Sequence, residues 1–315
     1  GGRIVRGMQA RRLRMDNGRC AGFVVSSTDG AEHVVNARAV VIADGGFQAN
    51  PDLVGRFITP RPERLLQRNA CTGIGAGLMM AEEAGAKLVG MDRFYGHIQQ
   101  RRAMEDQGLW PYPVIDSLAT AGIVVDERAQ RFCDEGLGGV YVTNAIAQLS
   151  DPLSATIIFD SATWMGPGRN WLLPANPYML RAGGELITAP TIIDLAQRLG
   201  LPADALVRTI ENYNRLIETG IADQQPARTA NPYQPWPIKH GPFHAIEVCA
   251  GITYTMGGIF TDAQARVLDH EHRAISGLYA VGATTGGLEG GGEAAGYSGG
   301  LSKSSVFGML ADEAI

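Results

Sequence analysis

Three clusters of glycine contain the residues of this sequence that are best suited to close contact with a ligand. Glycine has no Cβ, so a ligand can approach its backbone N–H groups directly. A glycine-rich turn at the start of a helix is also suited to anion binding. Each cluster could equally be an ordinary tight turn. The clusters are Gly45-Gly46, Gly73 with Gly75 and Gly77, and the glycine-rich stretch 286–300.

The first cluster follows a predicted β-rich segment of 48 residues. The apolar run 39–43 is typical of a fully buried parallel strand. Asp16-Asn17-Gly18 predicts a hairpin turn, because an Asn-Gly pair accepts positive φ at low cost. Short strands are also predicted at residues 3–5, 10–15, 20–25 and 32–37.

The second cluster opens a predicted helix over 75–86, with Leu78, Met79, Ala81 and Ala84 on or near one face. Residues 93–120 are rich in aromatic residues and proline, which predicts a long ordered loop. Strands are predicted at 122–126 and 155–160. Further helices are predicted at 141–149, 192–199, 202–218 and 301–314. The last of these follows the third cluster directly, which favours a packed ligand-binding loop over a flexible linker.

Composition limits the classes of function. The 315 residues carry a formal net charge of −5, so the chain has no basic field to attract nucleic acid. The four cysteines form no C-x-x-C pair, and no metal site is predicted. Isolated cysteines fit a reducing compartment, and we expect a cytoplasmic protein. No apolar run is long enough to predict a transmembrane segment.

Five motifs follow one another along the chain, and their order resembles a known family. They are Val40 to Asn50, Thr72-Gly73-Ile74-Gly75, Arg131-Phe132-Cys133-Asp134-Glu135, Pro242-Phe243-His244-Ala245, and Thr255-Met256-Gly257-Gly258 with Gly277-Leu278-Tyr279-Ala280-Val281-Gly282. In residue type and order they resemble the motifs of the fumarate reductase/succinate dehydrogenase flavoproteins. The resemblance covers nearly the whole chain.

The resemblance implies an α/β fold with an α+β cap, in which a partial Rossmann-like FAD-binding domain is interrupted by a substrate domain. The implied parts are 1–92 (FAD-binding domain, first part), 93–240 (cap) and 241–315 (FAD-binding domain, final part). FAD is the implied cofactor. Its implied contacts are Ala43, Asp44, Gly45, Gly46, Phe47, Asn50, Thr72, Gly73, Gly75, Met256, Gly257, Gly258, Gly282, Ala283, Leu301 and Ser302.

The sequence lacks the G-x-G-x-x-G strand–turn–helix that precedes these motifs in the family and binds the FAD pyrophosphate. The chain therefore starts partway through the FAD-binding domain, and we expect a fragment, a truncated form or a mis-assigned start. Purified as written, it is expected to bind FAD weakly or not at all. Stoichiometric yellow flavin in a preparation of this chain would refute that expectation.

The residues that grip a dicarboxylate in fumarate reductases are also missing. A histidine and an arginine are expected there, but the corresponding segments read Gly251-Ile252-Thr253-Tyr254 and Gly291-Gly292-Glu293-Ala294. The family's proton-donating arginine has no clear counterpart before Arg169. Fumarate chemistry is therefore disfavoured. Tyr297-Ser298-Gly299-Gly300 is more similar to the tricarballylate dehydrogenase and ketosteroid dehydrogenase branches.

Tyr254, Tyr297 and His97 are the candidate catalytic residues. A tyrosine can handle a proton through a stabilised phenolate, although each could instead be a core residue with a satisfied hydroxyl. His97 could contact substrate or be structural. Trp110 and Tyr112 could line a pocket or simply pack. Asp134 and Glu135 could support the cap or relay a proton.

The sequence thus predicts an FAD-dependent oxidoreductase that transfers hydride between flavin N5 and a substrate CH–CH or C=C bond beside a carbonyl or carboxylate. Its partners are a small-molecule substrate and an unknown electron acceptor. The alternatives are a fumarate reductase-like enzyme for an unusual acid, and a non-catalytic domain without bound FAD.

Overall fold

The computed structural model describes residues 2–109, 115–172, 174–220, 225–289 and 298–315. The strands in this part of the chain are β1 (Met8–Asp16), β2 (Arg19–Ser27), β3 (Glu32–Asn36), β4 (Val40–Ile42), β5 (Leu66–Gln67), β6 (Leu88–Val89), β7 (Phe94–Gln100), β8 (Ile123–Val125), β9 (Thr156–Asp160), β10 (Ile187–Ala189), β11 (Phe243–Thr255), β12 (Gly258–Ile259), β13 (Arg266–Leu268) and β14 (Ala274–Ala280). The α-helices are α1 (Pro51–Phe57), α2 (Ala76–Glu83), α3 (Asp116–Ala121), α4 (Gly139–Ala147), α5 (Ser161–Met165), α6 (Ala175–Arg181), α7 (Ile192–Leu199), α8 (Ala203–Thr219) and α9 (Gly300–Ala314).

The longest strand, β11, has 13 residues and joins the two halves of a six-stranded sheet. Its first half pairs antiparallel with β9 and β10. Its second half pairs antiparallel with β7 and parallel with β5. Buried side chains from both halves, among them Phe94, Ile157 and Ile246, pack into one apolar cluster. The two halves therefore share a core.

Two smaller sheets carry the N-terminal strands. β1, β2 and β3 form an antiparallel sheet, and the predicted hairpin turn is confirmed, with Asn17 at a φ of 47°. β4 pairs in parallel with β14, as the apolar run predicts. Full burial of that run is wrong, because β4 is an edge strand and Val41 is 42% exposed.

Two other local predictions are wrong. The loop predicted over 93–120 contains β7 and α3, because residues 94–100, with Phe94, Tyr95 and Ile98, pair with β11 as a strand. Residues 3–5 form no strand, and Ile4 is 86% exposed. The helix predicted over 75–86 is confirmed as α2, in which Leu78 and Ala81 are buried and Met79 packs against the apolar core.

The predicted helices 192–199 and 202–218 are confirmed as α7 and α8, which cover the β8–β9–β10 side of the large sheet through a second apolar cluster. Gly200 ends α7 in a left-handed conformation with a φ of 67°. Within the described residues, no helix combines the length and the apolar composition that a membrane span requires.

His244, on β11, is a buried histidine between two hydroxyls. Its Nε2 lies 3.0 Å from Ser161 Oγ, and its Nδ1 lies 2.9 Å from Thr188 Oγ1. Burial lowers the pKa of His244, and the Asp160 carboxylate opposes this only in part. The unfolded chain thus protonates this ring at a pH where the folded protein keeps it neutral. The neutral His244 ring makes its full contribution to stability above about pH 6.5. That contribution is lost as the pH falls and the ring must take up a proton.

We therefore expect the free energy of unfolding to fall more steeply between about pH 7 and pH 5 in the wild type than in His244→Asn. Urea unfolding at several pH values measures this slope. His33→Asn, on the exposed strand β3, is the matched control and should follow the wild type. Parallel profiles for wild type and His244→Asn would contradict the assignment.

Candidate functional site

The loop after β4 and the loop before α2 lie side by side. The Gly75 N–H donates to the Gly46 carbonyl at 3.1 Å, and the Ala49 N–H donates to the Gly73 carbonyl at 2.8 Å. The side-chain amide of Asn50 donates to another carbonyl of the second loop, while its oxygen caps α1. The structure thus brings together two of the segments that the sequence assigned to a cofactor.

The Asp44 carboxylate links this pair of loops to a third segment. It accepts the N–H of Gly77, in the first turn of α2, at 2.6 Å and the hydroxyl of Thr284 at 3.3 Å. A carboxylate at a helix N-terminus is favourable, because the first N–H groups have no partner within the helix. Thr284 belongs to a 3₁₀ turn with Gly282 and Ala283, so those two predicted contacts also lie close to Asp44.

A fourth predicted segment, residues 256–258, follows the end of β11. The Thr255 hydroxyl accepts the Phe47 N–H at 3.1 Å. A Cβ at Gly46 would lie only 2.2 Å from that hydroxyl oxygen, so only glycine fits there. Gly257 is equally constrained, because a Cβ would lie 2.3 Å from the Gly90 carbonyl oxygen.

An open cavity of about 380 Å³ lies beside these loops. Its walls are mostly apolar, and Asp44 and Thr72 contribute polar atoms. Such a combination is usual for sites that bind organic cofactors. The remaining lining residues include Leu13, Phe23, Val41, Ala43, Ile74 and Met80.

Leu301 and Ser302, the last predicted cofactor contacts, are exposed in the first turn of α9. That turn packs near the 3₁₀ turn, since a Cβ at Gly282 would lie 2.9 Å from Ser304 Oγ. The Lys303 ammonium points the other way and donates to the Thr285 carbonyl at 2.7 Å. The two residues therefore lie next to the other predicted segments, on the solvent side.

Three aromatic residues on β7 and β11 form what we call the tyrosine–histidine face: Tyr95, His97 and Tyr254. The rings of Tyr95 and Tyr254 are 5.6 Å apart, and those of Tyr95 and His97 are 5.2 Å apart. The Tyr95 hydroxyl lies 3.0 Å from His97 Nε2, and His97 Nδ1 lies 2.7 Å from an Asp116 carboxylate oxygen. The other Asp116 oxygen accepts the Ile98 N–H at 2.9 Å.

These partners determine the direction of the hydrogen bonds. The Asp116 carboxylate accepts, so His97 carries its proton on Nδ1 and its Nε2 accepts from the Tyr95 hydroxyl. The side chain of His97 is only 19% exposed. His97 is therefore fixed by Asp116 and in turn orients Tyr95.

Tyr254 is connected to a buried ion pair. Its hydroxyl donates to Glu289 Oε1 at 2.5 Å, and the Ser298 hydroxyl donates to the same oxygen at 3.1 Å. Lys303 donates to the other Glu289 oxygen at 3.1 Å. Both charged side chains have 0% exposure. This pair, with its extra hydrogen bonds, fixes the position of the Tyr254 hydroxyl.

The structure does not place several of the residues discussed in the sequence analysis at this site. Tyr297, Trp110, Tyr112 and Glu293 lie outside the described residues. Arg169 is exposed after α5.

Asp134 and Glu135 hold parts of the chain together, which supports their structural interpretation. Asp134 accepts the N–H and the hydroxyl of Thr229. Glu135 accepts the Val124 N–H and pairs with Arg131 at 2.5 Å. Both carboxylates are thus engaged in fastening neighbouring segments.

Sequence reasoning missed Tyr95, Asp116, Glu289 and Lys303. Tyr95 lies two residues before the candidate His97, but its place on the same face followed only once β7 was known to be a strand. Lys303 is one of only three lysines and the only basic residue of α9. The approach of Asp116 to His97 depends on tertiary structure, and no local pattern indicates it.

Comparison with known proteins identifies the family. A family model described as an FAD binding domain matches residues 2–298. The chain belongs to this family. Its relatives include fumarate reductases and 3-ketosteroid dehydrogenases, so it is a fumarate reductase/succinate dehydrogenase-type flavoprotein, as the resemblance implied.

Two relatives and one solved structure illustrate the range of this FAD-binding family. NADH:fumarate oxidoreductase of Klebsiella pneumoniae (strain 342) is 32% identical, over 88% of this chain and 28% of its own length. 4-Oxocyclohexanecarboxylate 2-dehydrogenase of Sinomonas cyclohexanicum is 29% identical, over 86% of this chain and 49% of its own length. The chain thus spans half or less of these relatives.

The solved structure is 3-ketosteroid-Δ4-(5α)-dehydrogenase of Rhodococcus jostii RHA1, in complex with 4-androstene-3,17-dione. It is 26% identical and superposes with a TM-score of 0.64, over 96% of this chain and 58% of its own. The chain therefore has the mixed α/β fold of the FAD-binding family. In the described residues, we find no group of three or more His, Cys, Asp or Glu arranged to hold a metal ion.

The buried pair of Glu289 and Lys303 predicts a large and non-additive effect on stability. Lys303→Met or Glu289→Gln alone leaves a buried charge without its partner, which should cost about 3–5 kcal/mol. The double variant should be destabilised by less than the sum of the two. Urea unfolding of the four proteins gives this coupling.

The exposed pair of Lys239 and Glu218 supplies the control. Lys239→Met should change the free energy of unfolding by less than about 1 kcal/mol. Additive effects at Lys303 and Glu289 would show that the two side chains are not paired in solution.

Proposed function

We propose that the protein is an FAD-dependent oxidoreductase that acts on a CH–CH or C=C bond next to a carbonyl or carboxylate. The observation that carries the proposal is the tyrosine–histidine face on β7 and β11, because β11 leads directly into the loop 256–258 proposed for the cofactor. Family membership supports FAD as the cofactor. The reaction itself is inferred from relatives that are longer than this chain.

The loops fit a flavin. Glycine lets the backbone come close at Gly45, where nothing lies within 4 Å of an added Cβ and φ is +89°. The adjacent cavity has the apolar walls that an isoalloxazine or adenine ring requires. We propose that residues 43–47, 72–75, 256–258 and 282–283 hold FAD, with Asn50, Leu301 and Ser302 near it. Bound FAD would accept or donate a hydride.

The tyrosine–histidine face would handle the proton that accompanies hydride transfer. The Tyr95 hydroxyl donates to His97 Nε2, which places its proton beside a basic nitrogen. His97 can take the Tyr95 proton, because Asp116 stabilises the resulting imidazolium through Nδ1. Tyr254 can in the same way pass its proton to the Glu289 carboxylate. Either tyrosine can therefore exchange a proton with the substrate carbon next to the carbonyl.

A fumarate-type dicarboxylate site is disfavoured, because the sequence lacks the histidine expected near the end of β11 and the arginine expected within residues 291–294. Thr253 and Tyr254 occupy positions where a fumarate reductase is expected to have a histidine. The relatives nevertheless include a fumarate reductase and enzymes named for ketones, so the substrate class needs a direct test.

We also propose the domain division 1–92, 93–240 and 241–315, together with a reducing, cytoplasmic location. The shared core around β11 lies where the second and third parts would meet. All four cysteines are free, which supports a reducing compartment.

A substrate panel tests the function. Protein supplied with FAD and an artificial electron acceptor is offered tricarballylate, a 3-ketosteroid and succinate, and fumarate is tested in the reverse direction with a reduced donor. We expect turnover with a ketone or tricarboxylate. Activity with fumarate alone would favour the reductase alternative, and failure to bind FAD or to turn over any member would favour the non-catalytic domain.

Removing one tyrosine hydroxyl should lower turnover strongly. Loss of a positioned proton-transfer group typically costs about 10²–10⁴ in rate, so Tyr254→Phe or Tyr95→Phe should lower kcat within that range. Stopped-flow measurement of flavin bleaching monitors the step directly. Tyr178→Phe, on the exposed side of α6, is the control. If both face variants kept wild-type rates, proton transfer by these tyrosines would be ruled out.

A further inference from the structure

We propose that Arg68 binds a carboxylate of the substrate, so that the substrate is an organic acid. The inference rests on the proposed function. It adds a substrate class and a binding residue that the motifs did not indicate.

Arg68 reaches the tyrosine–histidine face because Gly251, on β11, has no side chain to block its path. It follows β5, and its N–H donates to the Ile252 carbonyl at 2.8 Å. The side chain then crosses β11 at Gly251, where an added Cβ would lie 2.5 Å from Arg68 Cδ. Gly251 is paired with His97 on β7. Residues paired across antiparallel strands share a face, so the arginine is directed to the side occupied by His97.

The guanidinium of Arg68 is only partly satisfied. One Nη donates to the Thr253 hydroxyl at 3.2 Å. Its Nε is shielded from solvent and has no hydrogen-bond partner among the described residues. No carboxylate lies within ion-pair distance of it in that part of the chain. An unpaired donor of this kind is costly to bury and is normally compensated by an anion.

The neighbouring carboxylate of Asp116 does not supply that anion. Its two oxygens already accept from His97 Nδ1 and from the Ile98 N–H. Asp116 and Tyr95 do favour the charged guanidinium, but burial dominates and lowers the pKa of Arg68. Arginine stays protonated in proteins nonetheless. A positive group with free donor capacity therefore remains beside Tyr95 and His97.

A carboxylate is the group that this geometry suits best. The planar guanidinium binds carboxylates through two parallel hydrogen bonds, which a carbonyl or an amide cannot accept equally well. Arg68 lies beside Tyr95 and His97, so a carboxylate bound to it would lie next to the proposed proton-transfer groups. The substrate class is thus an organic acid.

The test compares binding of two probes that differ in charge. Cyclohexanecarboxylate and cyclohexanecarboxamide are titrated into the protein by calorimetry or ligand-observed NMR, without turnover. Arg68→Gln should weaken carboxylate binding at least tenfold and leave amide binding unchanged. Arg68→Lys should recover part of the loss, because an ammonium keeps the charge but lacks the planar fork. Arg64→Gln, four residues earlier and exposed to solvent, is the matched control.

Two results would overturn the proposal: equal affinity of wild type and Arg68→Gln for the carboxylate, or equal affinity of the wild type for both probes. If Arg68→Gln does not fold, Arg68→Lys decides, and wild-type carboxylate affinity in that variant would overturn it. Binding is measured apart from catalysis. If carboxylate binding depends on Arg68 but the protein has no oxidoreductase activity, the proposed function is wrong and the anion site stands. If the protein is active but carboxylate binding does not depend on Arg68, the proposed function stands and the anion site is wrong.

Discussion

The pairing of β11 with four other strands is the constraint on which the rest of the structure depends. One strand of 13 residues is paired at one end with β9 and β10 and at the other with β5 and β7. Its last residues lead into the turn that meets the glycine loops. The position of Tyr254 is therefore set by backbone pairing, and its orientation relative to the proposed cofactor loops does not depend on a flexible connection.

The charges around this strand are arranged in two separate groups. Asp116 acts through His97 on Tyr95, whereas Glu289 and Lys303 act on Tyr254. Each group holds an aromatic hydroxyl with a carboxylate, directly in the case of Glu289 and through His97 in the case of Asp116. Because a carboxylate that is already hydrogen-bonded fixes its partner in one orientation, the hydroxyls are held in place before any ligand arrives.

The sequence predicts those parts of the fold that depend on local chemistry. The Asn17 hairpin and the helices α7 and α8 follow from turn residues and apolar periodicity. Strand β7 was missed, because a segment with glycine, histidine and two glutamines becomes a strand only by pairing with β11. In the site, motifs predicted the loops, and the structure brings them together. Asp116 and Glu289 could not be predicted, since both act across tertiary contacts.

The burial of Lys303 has a consequence for chemical labelling. The chain has three lysines, and Lys87 and Lys239 keep part of their surface accessible, whereas the Lys303 amine is enclosed by Glu289 and a backbone carbonyl. Amine-reactive dyes or resins should therefore attach at the first two positions and at the chain's own amino terminus. Slow acylation of Lys303, followed by peptide mass spectrometry, would then report how often the start of α9 detaches from the body of the protein.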